Sequence, residues 1–202
     1  MDTRVFLIGG APGAGKSTLG TALAARLGIG SLTIDDLVTA VQAVTTPETH
    51  PGLHLMWKTS HLDYFTHSST DKLKADAVRQ HEATWPFIER VIRKHALEGA
   101  PIVIDGWHLW PGRVSQLQLE NVWAGWIIVA PSVLEGRERK NVEWLQGSSD
   151  PERMFGNFMS RSLWFNSLME EQANELQMNI LSQHGKTSVD ELCEMILENQ
   201  VG

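Results

Sequence analysis

The segment Gly10-Ala11-Pro12-Gly13-Ala14-Gly15-Lys16-Ser17 constrains this chain more than any other. It meets the pattern G-x-x-x-x-G-K-[ST] at every fixed position. Its surroundings supply the context that the pattern needs. Arg4 to Ile8 is an apolar run predicted as a buried strand, and Lys16 to Leu27 is predicted as a helix with Leu19, Leu23 and Leu27 on one face and Gly28 as its cap. Glycines let such a loop curl until several N–H groups point at one anion. The helix dipole adds to that field, the lysine carries a charge to the β and γ phosphates, and the serine hydroxyl can ligate Mg²⁺. Gly10 to Thr18 is therefore expected to hold a nucleoside triphosphate, ATP with Mg²⁺.

Strand and helix signals alternate along the rest of the chain. Strands are predicted at Ser31–Ile34, Pro101–Asp105, Trp126–Val129 and Leu176–Leu181. Helices are predicted at 37–44, at 71–98 with a kink or restart at Pro86, at 131–145, from Pro151 to Glu175, and at Val189–Asn199. This alternation implies an α/β domain of three layers: a five-stranded parallel sheet with helices on both faces. One such domain fits 202 residues. The irregular stretch within about 45–98 is expected to bind an acceptor, and about 137–152 to form a lid.

Two acidic positions complete a site around the loop. Ile102-Val103-Ile104-Asp105-Gly106 ends a strand in a carboxylate, where ligands gather in open α/β sheets, so Asp105 is expected to join Ser17 at the metal. Asp35 and Asp36 end the strand before it. Asp35 is the expected base that orients and deprotonates an acceptor hydroxyl, and Asp36 the expected cap of the next helix and a second acceptor contact. Helix capping is the alternative role for Asp35.

Further candidates carry positive charge. Arg137, Arg139 and Lys140 follow the fourth strand, and arginines that arrive on closure stabilise transferred charge. A solvated helix face is the other reading of that run. Arg161 falls on an apolar stripe with Met154, Phe158, Phe165 and Leu168, so it needs an anion, either a phosphate or an internal carboxylate. His108 is placed to line the acceptor pocket, or to bond within a turn. His50, His54, His61 and His67 lack metal-ligand spacing and read as polar loop residues; Lys58, Lys72, Lys74 and Arg79 read as solvated.

The net charge of −7 argues against nucleic acid or anionic membrane as partner, since both need a basic face. A single cysteine, Cys193, forms no internal disulfide. With no apolar run of membrane length, the expectation is a cytoplasmic protein, monomer or homodimer, acting on a small-molecule phosphoacceptor.

Three segments give the chain a familiar look: Ile8–Thr18, Leu32–Leu37, and Val103-Ile104-Asp105-Gly106-Trp107-His108-Leu109-Trp110-Pro111-Gly112. Together they resemble the small P-loop kinases, most specifically the 2-phosphoglycerate kinase-like group, with shikimate, gluconate, chloramphenicol and zeta-toxin-type kinases as more distant relatives. The resemblance implies an ATP-dependent phosphotransferase with Lys16, Asp35, Arg137 and Arg161 at the reacting groups. Asp105 departs from the glutamate usual in that group, and residues 45–80 do not match it. A P-loop ATPase, or a nucleotide-binding regulator without an acceptor, is the competing expectation.

Overall fold

The computed structural model describes residues 3–56 and 59–198. Trp57, Lys58 and Asn199, which carry parts of the expectations above, lie outside them. Five parallel strands form one sheet: β1 (Val5–Gly10), β2 (Gly30–Thr33), β3 (Ile102–Asp105), β4 (Val122–Val129) and β5 (Asn179–Gln183), in the order β2-β3-β1-β4-β5. The helices are α1 (Lys16–Leu27), α2 (Ile34–Gln42), α3 (His61–His67), α4 (Thr70–Leu97), α5 (Pro111–Val114), α6 (Pro131–Glu138), α7 (Pro151–Glu175) and α8 (Val189–Glu198). The expected three-layer architecture is the one observed.

All of β1 and β3, and seven of the eight residues of β4, are buried, as parallel strands covered on both faces must be. Trp126 shows how tightly the centre is filled. Its indole nitrogen donates to the Leu109 carbonyl at 2.7 Å, and its ring lies where a Cβ on Gly9 would be, so only glycine fits there.

The register sets the site. Ile8, two residues before the end of β1, pairs with Asp105 at the end of β3, and Asp105 pairs in turn with Thr33 at the end of β2. β2 and β3 therefore end level with each other, while β1 runs two residues further into the glycine-rich loop.

Four local expectations need correction. β2 stops at Thr33, so Asp35 and Asp36 occupy the first turn of α2 rather than a strand end, and Thr33 holds the capping position expected for Asp36. α4 continues through Pro86 without restarting, and the Thr84 hydroxyl just before the proline donates to the His81 carbonyl at 3.1 Å. Packing of Leu73, Ala77, Trp85, Ile88 and Ile92 in the core holds that helix together despite the missing N–H. α6 ends at Glu138, well short of residue 145. Finally, β5 begins at Asn179 because Gln177 takes a left-handed turn (φ 54°) after α7.

Candidate functional site

Gly15 caps α1 in a left-handed conformation (φ 93°, ψ 21°), which turns the backbone from loop to helix in one residue. The Lys16 ammonium folds back to donate to the Ala11 carbonyl at 2.9 Å. Burial, opposed by the Asp35 and Asp105 carboxylates, lowers its pKa to about 8. The folded protein thus disfavours a charge that a bound anion would favour. Replacing Lys16 by Met should raise stability by roughly 1–2 kcal/mol while weakening nucleotide binding by about two orders of magnitude. Thermal melts read the first effect and nucleotide titration the second; a Lys16→Met variant that melts lower and binds as wild type would contradict both.

The Ser17 hydroxyl donates to Asp105 Oδ1 at 2.7 Å. Asp105 is 4% exposed and rests against Gly20 of α1. Burial raises its pKa, while the Ser17 hydrogen bond and Lys16 pull it down. This pair has the donor set that suits Mg²⁺, which takes one or two protein oxygens and completes its shell with phosphate and water. No group of three or more His, Cys, Asp or Glu able to hold a metal by itself occurs among the described residues. The residues present thus fit a metal that arrives with its triphosphate.

The loop separates two cavities. The larger, about 490 Å³, has Pro12, Lys16, Asp35, Trp107 and Arg161 in its walls, closed by residues of the 42–80 segment. The smaller, about 250 Å³, lies on the other side of the loop against Gly13, Gly15, Thr18, Arg137, Gln183 and Val189. The Arg137 guanidinium donates to the Ala14 carbonyl at 3.2 Å. Arg139 points away: it pairs with Glu152 at 3.1 Å and Glu135 at 3.7 Å and stacks over Phe155. Arg137 is therefore the arginine of that run that reaches the loop. Further along that stretch the Ser148 hydroxyl lies 2.9 Å from the Thr66 hydroxyl of α3.

Asp35 stands at the mouth of the larger cavity with its side chain 70% exposed. The surrounding protein raises its pKa, Lys16 lowers it, and Asp36 raises it again. Asp36 is exposed and is not among the residues that wall either cavity. His108 is 2% exposed, and its Nδ1 lies 4.0 Å from Asp35 Oδ1. It stands behind Asp35 rather than in the cavity wall. Burial and the nearby Lys16 charge lower its pKa to about 3, so it is neutral at ordinary pH.

Arg161 is the most telling cation. Its guanidinium lies 4.6 Å from the Phe65 ring centre, 4.9 Å from that of Trp107 and 5.6 Å from that of Phe158. Burial lowers its pKa to about 10. Its Nε is buried with no hydrogen-bond partner, and no carboxylate among the described residues pairs with it. Contacts with rings are worth about 0.5–2 kcal/mol each, against several kcal/mol for removing a cation from water. The internal-carboxylate alternative for Arg161 is thus not observed, and the charge faces the cavity.

The sequence reading passed over His81. It is 2% exposed on α4, accepts a hydrogen bond from the Trp110 indole, and packs on His108 with ring centres 4.5 Å apart. The signal was present: Leu73, Ala77, His81, Trp85, Ile88 and Ile92 form one helical stripe, the same argument that singled out Arg161.

No known protein-family profile matches the chain. Among curated proteins it is similar to 2-phosphoglycerate kinases: 35% identical over 116 residues to that of Pyrococcus horikoshii, covering 54% of this chain and 37% of the relative. To that of Methanocaldococcus jannaschii it is 32% identical over 122 residues, covering 58% and 38%. The matches thus span little more than a third of those relatives' length. Among solved structures, a gluconokinase from Sinorhizobium meliloti 1021 superposes with a TM-score of 0.56 at 16% identity, covering 100% of this chain and 94% of that one. A shikimate kinase from Bacteroides thetaiotaomicron gives 0.53 at 17% identity, covering 98% of each. The chain has the fold of the small P-loop kinases, and its sequence is similar to 2-phosphoglycerate kinases over about half its length.

Proposed function

We propose that this chain transfers the γ-phosphoryl group of ATP to a hydroxyl of a small acceptor. The observation that carries the reading is the phosphate loop set between two cavities, with an acidic group and an unpaired arginine on one side only. A nucleoside fits the smaller cavity, beside Thr18, Gln183 and Val189, and its phosphates run along the loop amides toward Lys16. The acceptor occupies the larger cavity, where Asp35 receives its hydroxyl proton. The hydroxyl oxygen bonds to the γ-phosphorus, the bond from that phosphorus to the β–γ bridging oxygen breaks, and its electron pair leaves with ADP. Lys16 and Arg137 hold positive charge beside the oxygens that gain negative charge. Mg²⁺, held by Ser17 and Asp105, supplies further neutralisation of the phosphates when bound.

The sequence similarity to 2-phosphoglycerate kinases, and the kinases among the structural neighbours, support phosphotransfer as the reaction class. A screen of ADP formation against phosphorylated sugar acids, sugars, nucleosides, hydroxy acids and phenolic compounds tests it. At least one class should raise ADP formation tenfold or more over the acceptor-free rate, and Lys16→Ala should abolish that rise. Rapid ATP hydrolysis indifferent to every acceptor would instead make the chain an ATPase.

A further inference from the structure

We propose that the acceptor is a hydroxy acid with one carboxylate and an apolar body about the size of an aromatic ring. This deepens the phosphotransfer reading and rests on it. The acceptor cavity, at about 490 Å³, is many times larger than a three-carbon acid requires. Its walls are mostly apolar: Leu53, Leu55, Met56, Phe65 and Trp107, with the ring of Tyr64. The Tyr64 hydroxyl donates to Asp76 Oδ2 at 2.9 Å, so the cavity is left its ring and not its polar end.

The polar groups in those walls are largely committed. The Gln42 amide donates to the Leu53 carbonyl at 2.6 Å, and His54 Nε2 lies 2.9 Å from the Thr45 hydroxyl. Lys72 and Arg79, the cations nearest along α4, both pair with Asp76. Lys16 also walls this cavity, but its charge is taken up by the phosphates of the proposed triphosphate. Among the described residues, that leaves Arg161 as the one cation able to meet an acceptor, beside the Gln80 amide and the Asp35 carboxylate.

Each candidate chemistry makes a demand on these groups. A phosphorylated acid carries two anionic groups and needs more than one cation. A sugar presents several hydroxyls, each needing a partner when buried. A compound with one carboxylate, one hydroxyl and an apolar body uses what the cavity offers. Its carboxylate meets Arg161, its hydroxyl meets Asp35, and its body covers the rings. The aromatic box around the guanidinium also keeps water from it, which strengthens its pull on one anion.

Calorimetric titration of the full chain, saturated with Mg²⁺ and a non-hydrolysable ATP analogue, tests this with 3-phenyllactate, phenyllactamide, glycerate and 2-phosphoglycerate. Phenyllactate should bind at least tenfold more tightly than glycerate or 2-phosphoglycerate. Arg161→Gln should remove tenfold or more of the phenyllactate affinity and leave phenyllactamide within twofold, which separates loss of an ion pair from loss of fold. Phe65→Ala should weaken phenyllactate and leave glycerate unchanged. Tighter binding of 2-phosphoglycerate, or equal losses for acid and amide in Arg161→Gln, would overturn the assignment. Either result leaves the phosphotransfer reading standing, because that reading fails on a different measurement, the absence of acceptor-stimulated ADP formation across the wider screen.

Discussion

Asp35→Asn is expected to lower the phosphotransfer rate by about 10²–10⁴-fold while leaving nucleotide affinity within a factor of two. Asparagine keeps the shape of the side chain but carries no charge and cannot take a proton. The carboxylate lies in the first turn of α2, on the cavity wall that also holds Lys16 and Arg161. Its pKa is raised by its surroundings, which brings a base closer to the working pH and makes it more effective. Lys16 limits that rise, so the group stays available as an anion. The neighbouring Asp36→Asn serves as the control: Asp36 lies outside both cavities and should lose less than threefold. Steady-state rates with an accepted substrate settle the matter, since slow turnover in Asp36→Asn with normal turnover in Asp35→Asn would reverse the two roles.

The second large effect concerns acid. His81 and His108 are both buried and neutral, His108 titrating at about 3 and His81 well below 6.5. For each, burial is the first cause. His81 is further lowered by His108 and Arg161, and His108 by Lys16. The unfolded chain binds these two protons near pH 6.5 and the folded chain does not. Stability is therefore fully present above pH 6.5 and is lost as pH falls below it, by about 1.4 kcal/mol per pH unit per histidine. At pH 5 His108 alone removes about 2 kcal/mol, and His81 adds to the loss in the same direction, against the 5–15 kcal/mol typical of a domain. Asp35, Asp105 and Glu138 act oppositely: their raised pKa values favour protonation in the fold and offset part of the loss nearer pH 4. Denaturant melts should show midpoints falling steeply between pH 6.5 and 5. His108→Leu, which breaks no hydrogen bond because neither ring nitrogen makes one, should flatten that slope by about 1.4 kcal/mol per pH unit. An unchanged slope in this variant would place the acid sensitivity elsewhere.

The loop half of the proposed site is legible in the sequence and the cavity half is not, for a physical reason. Phosphate binding uses backbone amides held by a fixed turn, and a fixed turn leaves a fixed pattern of Gly10, Gly13, Gly15, Lys16 and Ser17. The Ser17–Asp105 pair followed from strand order, since β3 lies beside β1 and ends as β1 runs into the loop. The acceptor cavity is instead assembled from α2, α3, α4, α7 and the residues after β3, whose meeting depends on packing between distant segments. Arg161 was found because one charge on an apolar stripe is conspicuous. His81 was missed because histidine is only half polar and draws less notice on such a stripe. The strand end expected at Asp35 was off by two residues, since Ile34 serves a helix start as well as a strand end and its side chain is buried either way.

Much of the larger cavity's wall comes from the single connection between β2 and β3, which are neighbours at one edge of the sheet order β2-β3-β1-β4-β5. The loop, α1 and the β3 carboxylate form the part that any triphosphate would require. Leu53, Met56, Tyr64 and Phe65 sit in a stretch inserted between two sheet strands, and none of its described residues pairs in the sheet. That stretch can change in length and sequence while the hydrogen-bonded frame stays as it is. A lineage carrying this frame could therefore acquire new acceptors by rewriting one crossover, with the engine left untouched.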